Sequence, residues 1–167
     1  MGAGKSAVGR RLSRLLKRDF FDSDAEIEKR TGVDIPFIFE KEGEPGFRER
    51  EKKMIEELSE AADAVIATGG GAILDPDNRE CMAKTGFVVY LHATIEQQLA
   101  RTKRTQHRPL LQVDDRESRI KSLDAERGPL YEGMADLTVQ TDGRRVYAVA
   151  RDVMSELDAK HGGSTDD

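Results

Sequence analysis

The sequence predicts an α/β protein built on a parallel sheet, and three observations carry that expectation. Short apolar runs alternate with longer amphipathic stretches along the chain, the alternation of strand and crossover helix. Gly2-Ala3-Gly4-Lys5-Ser6 leads directly into a stretch with apolar Val8, Leu12, Leu15 and Leu16, the order of loop and helix that suits phosphate binding at a helix N-terminus. The 167 residues suffice for one good core and are short for two, so residues 1–160 read as a single domain with a flexible tail over 161–167.

Taken in order, the apolar spacing after the glycine loop predicts a helix from Lys5 to Leu16. Asp19-Phe20-Phe21-Asp22 is a short apolar run between polar residues and predicts a strand, followed by a helix from Ala25 to Arg30. A longer amphipathic helix is expected from Phe47 to Leu58. Ala64 to Thr68 reads as the next strand, closed by Gly69-Gly70-Gly71. A helix over Arg79–Lys84, a strand over Phe87–Leu91 and a helix over Ile95–Arg104 follow. The polar, cationic Lys103-Arg104-Thr105-Gln106-His107-Arg108-Pro109 suits a mobile lid near residues 102–115, because its charges repel one another unless an anion comes between them. A helix from Arg116 to Glu126, a strand from Leu137 to Thr141 and a helix from Val146 to Leu157 complete the series.

Composition narrows the function classes. A net charge of −5 argues against a dedicated nucleic-acid surface, although the Arg101–Arg108 cluster is suited to phosphates. The single cysteine, Cys81, permits no intrachain disulfide and offers no zinc-type spacing, which points to a reducing cytoplasm, and its helix-like surroundings favour a small buried hydrophobe over a catalytic thiol. No apolar run is long enough to span a bilayer, so neither a membrane nor a nucleic acid is an expected partner. The pattern for N-terminal myristoylation is also satisfied by Met1 to Ser6, but the phosphate loop needs the same residues. His92, His107 and His161 have no spacing for a metal site or a triad.

Gly2-Ala3-Gly4-Lys5-Ser6 matches the second half of the phosphate-loop pattern. Glycines let backbone N–H groups turn towards a β-phosphate, Lys5 adds a mobile positive charge, and the Ser6 hydroxyl suits Mg²⁺. A flexible glycine-rich N-terminus preceding a helix is the plainer alternative. The first glycine of the full pattern would lie two positions before Met1, and the strand feeding the loop earlier still, so a shortened chain or a misassigned start is the expectation.

Asp22 and Asp24 stand two residues apart at the carboxyl end of a strand, where ligands bind in open α/β sheets. Ser23-Asp24-Ala25-Glu26 is also a capping box, which explains one or two of these side chains without any ligand. Beyond capping, Asp22 suits Mg²⁺ held through water, and Asp24 suits the proton of a small alcohol. Arg48 precedes Glu51 by one helical turn, so the acid can orient the guanidinium, with a solvated ion pair as the alternative. Three consecutive glycines, Gly69 to Gly71, weaken a chain unless the backbone bends sharply or a ligand comes close.

Together Gly2-Ala3-Gly4-Lys5-Ser6, Asp22-Ser23-Asp24, Gly43 to Glu51, Gly69-Gly70-Gly71, Arg108-Pro109-Leu110-Leu111 and Arg127-Gly128-Pro129-Leu130-Tyr131 resemble the shikimate kinase family in order and spacing. The resemblance implies a three-layer P-loop kinase fold, with a parallel sheet of order 2-3-1-4-5 flanked by helices and the first strand missing from this chain. It implies ATP-dependent phosphorylation of the shikimate 3-hydroxyl in the biosynthesis of chorismate and aromatic amino acids, with Mg²⁺ and the partners ATP and shikimate, in a cytoplasmic monomer. By the same resemblance Lys5, Asp24 and Arg108 are catalytic. Gly2, Ala3, Gly4, Lys5, Ser6, Ala7, Arg101, Arg108 and Arg144 bind ATP. Asp24, Arg48, Gly69, Gly70, Gly71 and Arg127 bind the acid, and Ser6 and Asp22 hold the metal. Ala7 stands where the family commonly has threonine and Val146 where it often has proline. Asp24 either positions or deprotonates the attacking hydroxyl. A gluconate-type kinase on the same scaffold and a non-enzymatic nucleotide-binding module are the alternatives.

Overall fold

Helix α1 forms over Lys5–Leu16, where the apolar spacing placed it, and buries Val8 and Leu12. The computed structural model describes residues 2–61, 63–102 and 115–161. Of the lid expected near 102–115, residues 103–114, Arg108 among them, lie outside the described residues, as do residues 162–167 of the tail expected over 161–167.

Four strands follow the predicted runs: β1 Asp19–Asp22, β2 Ala64–Ala67, β3 Val89–His92 and β4 Leu137–Gln140. They form two parallel pairs. β1 lies beside β2, with Asp22 level with Ala67, and β3 lies beside β4, with Val89 level with Leu137. These are the pairings that the order 2-3-1-4-5 requires of its second and third and of its fourth and fifth strands. Helix α1 joins the two pairs: Val8 and Leu12 share one core with Leu91 of β3 and Val139 of β4, and Val65 of β2 packs against it.

The remaining helices are α2 Ser23–Thr31, α3 Ile35–Ser59, α4 Pro76–Thr85, α5 Ile95–Thr102, α6 Arg116–Met134 and α7 Val146–His161. α2 and α3 cover the β1–β2 pair through Ile27, Ile38, Phe47, Met54 and Leu58, with Phe21 and Ile66 packed against them. α7 supplies Val149, Ala150 and Val153 to the core of the β3–β4 pair. α5 and α6 meet through Leu99, Ile120 and Leu123.

Three expectations need correction. α3 begins at Ile35, twelve residues before the expected Phe47, because Asp34 caps it by accepting from the Phe37 N–H at 3.0 Å and Pro36 suits the first turn. It is broken at Gly43 (φ 70, ψ −178), a conformation that glycine alone adopts readily. α6 continues past Glu126, through Gly128 and Pro129, to Met134; the buried Ile120, Leu123 and Arg127 face hold it together where local propensity predicts an end. The capping box at Ser23 is replaced by Asp22, whose side chain accepts from the Asp24 and Ala25 N–H groups at 3.2 and 3.4 Å. Cys81 lies half-buried in α4.

Candidate functional site

Parallel pairing brings the carboxyl ends of β1 and β2 together, so Asp22 and the α2 N-terminus stand beside the glycine run that follows β2. The Ser23 hydroxyl, buried and freed from capping, accepts from the Gly69 N–H at 3.0 Å and ties the two together. The glycines are needed for space. A Cβ on Gly69 would come within 2.4 Å of a Glu51 oxygen and 2.8 Å of an Asp24 oxygen, and one on Gly71 within 2.4 Å of three atoms of the Arg48 guanidinium. One short backbone segment therefore lies against two carboxylates and a guanidinium.

Arg48 is held from both sides. Its Nη1 meets Glu51 at 2.6 Å and its Nη2 meets Glu44 at 2.8 Å. Glu51 is only 1% exposed, which rules out the solvated ion pair offered as the plainer alternative. Burial is the largest influence on the Glu51 carboxyl and raises its pKa, with the Arg48 charge and hydrogen bond opposing. For Arg48 burial acts downward, yet Glu51 and Glu44 outweigh it and the net direction is up, so the guanidinium stays charged. Arg127, from α6, is buried and donates through Nη1 to the Gly70 carbonyl at 3.1 Å.

Buried polar atoms without a partner mark this region. Among the described residues there are four, and three of them belong to Asp24 (Oδ1), Glu51 (Oε1) and Arg127 (Nε). Buried groups of this kind are ordinarily hydrogen-bonded, so three around one glycine loop form a surface suited to a polar ligand. Asp24 is raised above an ordinary aspartate by burial first and by the Asp22 charge second, with Lys5 and Arg48 pulling it down.

Across from this cluster, Gly4 precedes α1 in the left-handed region (φ 88) with no side chain capping the helix, an arrangement of helix N-terminus that suits an anion. The Ser6 hydroxyl donates to Asp22 Oδ2 at 2.5 Å, placing two oxygen donors at the mouth of the loop. A cavity of about 100 Å³ opens beside the glycines and is bounded by Lys5, Gly69, Gly70, Arg127 and Tyr131; Asp24 and Arg48 are not among its walls.

The chain is matched over residues 1–158 by the family sequence model described as Shikimate kinase. The chain belongs to the shikimate kinase family. It is 54% identical over 157 residues to a shikimate kinase of Halorhodospira halophila, covering 94% of this chain and 89% of the relative. It is 50% identical over 157 residues to a shikimate kinase of Legionella pneumophila strain Corby, covering 94% and 90%. Among solved structures, that of the Acinetobacter baumannii shikimate kinase in complex with shikimate superposes with a TM-score of 0.93 at 46% identity, over 99% of this chain and 91% of that one. The Aquifex aeolicus shikimate kinase gives 0.84 at 37% identity, over 96% and 94%.

The residues that the family resemblance singled out divide into three groups. Lys5, Ser6, Asp22, Asp24, Arg48, Gly69 to Gly71 and Arg127 lie around the two facing regions just described. Arg101 and Arg144 are anchored elsewhere: Arg101 donates to the Gly2 carbonyl at 3.2 Å and the Thr141 carbonyl at 2.9 Å, linking the phosphate loop to the end of β4, and Arg144 pairs with Asp152 at 2.5 Å. Arg108 lies outside the described residues. Sequence reasoning missed Glu44, which fills one side of the Arg48 fork, and Ser23 as the partner of Gly69. The i,i+4 spacing of Glu44 and Arg48 was a usable signal for the first; no local signal exists for the second, since 46 residues separate the pair.

Proposed function

We propose that this chain transfers the γ-phosphoryl group of ATP to the 3-hydroxyl of shikimate, releasing ADP and 3-phosphoshikimate for chorismate and aromatic amino acid biosynthesis. The observation that carries the proposal is the cluster of unpartnered buried atoms on Asp24, Glu51 and Arg127 around the glycine loop, with the Arg48 guanidinium among them. A cyclic acid bearing hydroxyls and a carboxylate has the groups that this set binds. The related Acinetobacter baumannii enzyme was solved in complex with shikimate, which supports the same substrate here.

In this reading Arg48 and Arg127 take the carboxylate through their planar donor pairs and fix the ring, while Asp24 receives or orients the attacking hydroxyl. The α1 N-terminus and Lys5 hold the phosphates, and Lys5 with Arg108 offsets charge on the transferred group. Ala3 and Ala7 lie along the same loop and helix start, Arg101 fixes that loop through Gly2, and Arg144 stands near the base. The Ser6 hydroxyl and the Asp22 carboxylate are hard oxygen donors at hydrogen-bonding distance, a pair that fits Mg²⁺ directly or through water. Held by those two residues, Mg²⁺ would supply positive charge to the phosphates of ATP.

The chain acts as one domain with a lid near 102–115, and as a monomer in the cytoplasm. The large apolar side chains exposed among the described residues, Phe37, Val146 and Tyr147, make no broad face, and no helix among those residues is long and apolar enough to cross a membrane. Lys5→Ala and Arg48→Lys test the assignments by steady-state kinetics. Lys5→Ala is expected to abolish turnover. Arg48→Lys keeps a positive charge against the buried Glu51 while losing the fork, and is expected to raise the KM for shikimate about tenfold or more, as for a lost charge-assisted bond. A Lys5→Ala variant with full activity would overturn the phosphate-loop assignment.

A further inference from the structure

None of the roles above uses Tyr131, yet it touches the centre of the site. It lies one helical turn beyond Arg127 on α6, and its hydroxyl donates to the Gly70 carbonyl, the oxygen that Arg127 Nη1 also reaches at 3.1 Å. Its ring is stacked on Tyr90 of β3, with centroids 4.9 Å apart and planes 20° from parallel. Gly70 is the middle residue of the loop whose other two glycines lie against Asp24, Glu51 and Arg48. A shift of the Gly70 peptide would therefore move both neighbours relative to those charges.

The two donors to Gly70 differ in what else they can do. Arg127 also hydrogen-bonds the Tyr131 side chain, and its buried Nε has no partner, so it holds a donor for an incoming carboxylate beyond those given to Gly70 and Tyr131. A phenol has one proton to give. Burial raises the Tyr131 pKa, with Arg127 opposing, so the hydroxyl remains a donor over the working pH range. With its ring fixed against Tyr90, it offers the Gly70 carbonyl a bond that need not be given up when a ligand arrives.

We propose that Tyr131 is a positioning residue for the shikimate site, holding the Gly70 carbonyl so that the glycine loop keeps its place while Arg127 engages the substrate carboxylate. This rests on the reading of Arg127 as a carboxylate ligand. Tyr131 itself need not touch the substrate.

Tyr131→Phe keeps the ring and its stacking on Tyr90 and removes only the hydroxyl. Shikimate affinity is measured by calorimetry on the full chain, alongside KM for shikimate and for ATP, kcat and the melting temperature. The expected result is a weakening of shikimate binding by about 2- to 10-fold, the range of one hydrogen bond, with the ATP KM unchanged and the melting temperature lowered by no more than a few degrees. Unchanged shikimate affinity overturns the proposal. An equal loss for shikimate and ATP together with a lower melting temperature also overturns it, because that pattern marks a purely structural role. Arg127→Ala is measured in parallel. If it leaves shikimate affinity intact, the reading of Arg127 fails and the proposal with it; if it weakens binding while Tyr131→Phe does not, the positioning role alone fails.

Discussion

The Asp24 carboxylate is buried beside Asp22 and Glu28, with Lys5 and Arg48 as countercharges and one oxygen unpartnered. Its pKa lies above the ordinary 3.8, so the folded state binds the proton more tightly than the unfolded chain does. The favourable contribution is present below the ordinary value and is lost as pH rises through the raised one; at neutral pH the ionised carboxylate costs stability. Asp24→Asn is therefore expected to abolish turnover and yet to melt a few degrees higher than the parent at neutral pH. The difference should shrink towards zero as pH falls to about 4. Thermal melts over a pH series check this, and a variant less stable than the parent at neutral pH would contradict it. Asp24 and Arg48 were legible as candidates because their residue types carry the chemistry. The burial that decides their protonation was not, since it depends on Gly69 and Glu51 arriving from other elements.

Among the elements, the glycine run after β2 makes a sharper distinction than the sequence did. Three identical letters have three different surroundings: added Cβ atoms at Gly69 and Gly71 would strike Glu51, Asp24 and Arg48, whereas one at Gly70 would meet the Tyr131 hydroxyl at 3.6 Å and Arg127 at 3.7 Å, ordinary contact distances. Gly70→Ala is expected to keep near-parental stability. Gly69→Ala is expected to lose binding and about 1–3 kcal/mol of stability, the usual cost of overpacking. Urea unfolding and shikimate titration of the two variants side by side measure the contrast, and equal behaviour would show that the loop yields. The α1 boundaries were legible because glycine, apolar spacing and a following strand agree there. The start of α3 and the end of α6 were not: a further helical stretch lies ahead of the break at Gly43, and the buried Ile120, Leu123 and Arg127 face carries α6 through Gly128 and Pro129, which act locally as breaks.

At the scale of the whole molecule, α1 is both the connection between the two strand pairs and the helix that follows the Gly2–Gly4 loop proposed to bind phosphate. Leu12, 8% exposed, packs in the core that includes β3, β4 and α7. Leu12→Ala is expected to cost about 2–5 kcal/mol by urea unfolding, because the cavity opens in the core that α1 shares with β3, β4 and α7. The alternation of strands and helices made the α/β class and the four strands legible. The bringing together of Asp24, Arg48, the glycines and Arg127 was legible only through resemblance to the family, since nothing local relates residues 24 and 127. The pairing of β1 with β2 and of β3 with β4 was legible only through the same resemblance, whose order 2-3-1-4-5 without its first strand requires those neighbours; strand patterns alone do not encode that long-range choice.

Phosphoryl transfer that depends on shikimate is the centre of the account, and coupled ADP release measures it directly on the 167-residue chain with Mg-ATP, with and without shikimate and with gluconate as the competing acid. The expected result is ADP release that rises with shikimate to saturation and is not stimulated by gluconate. ADP release that shikimate leaves unchanged, in a chain that binds ATP, would contradict it.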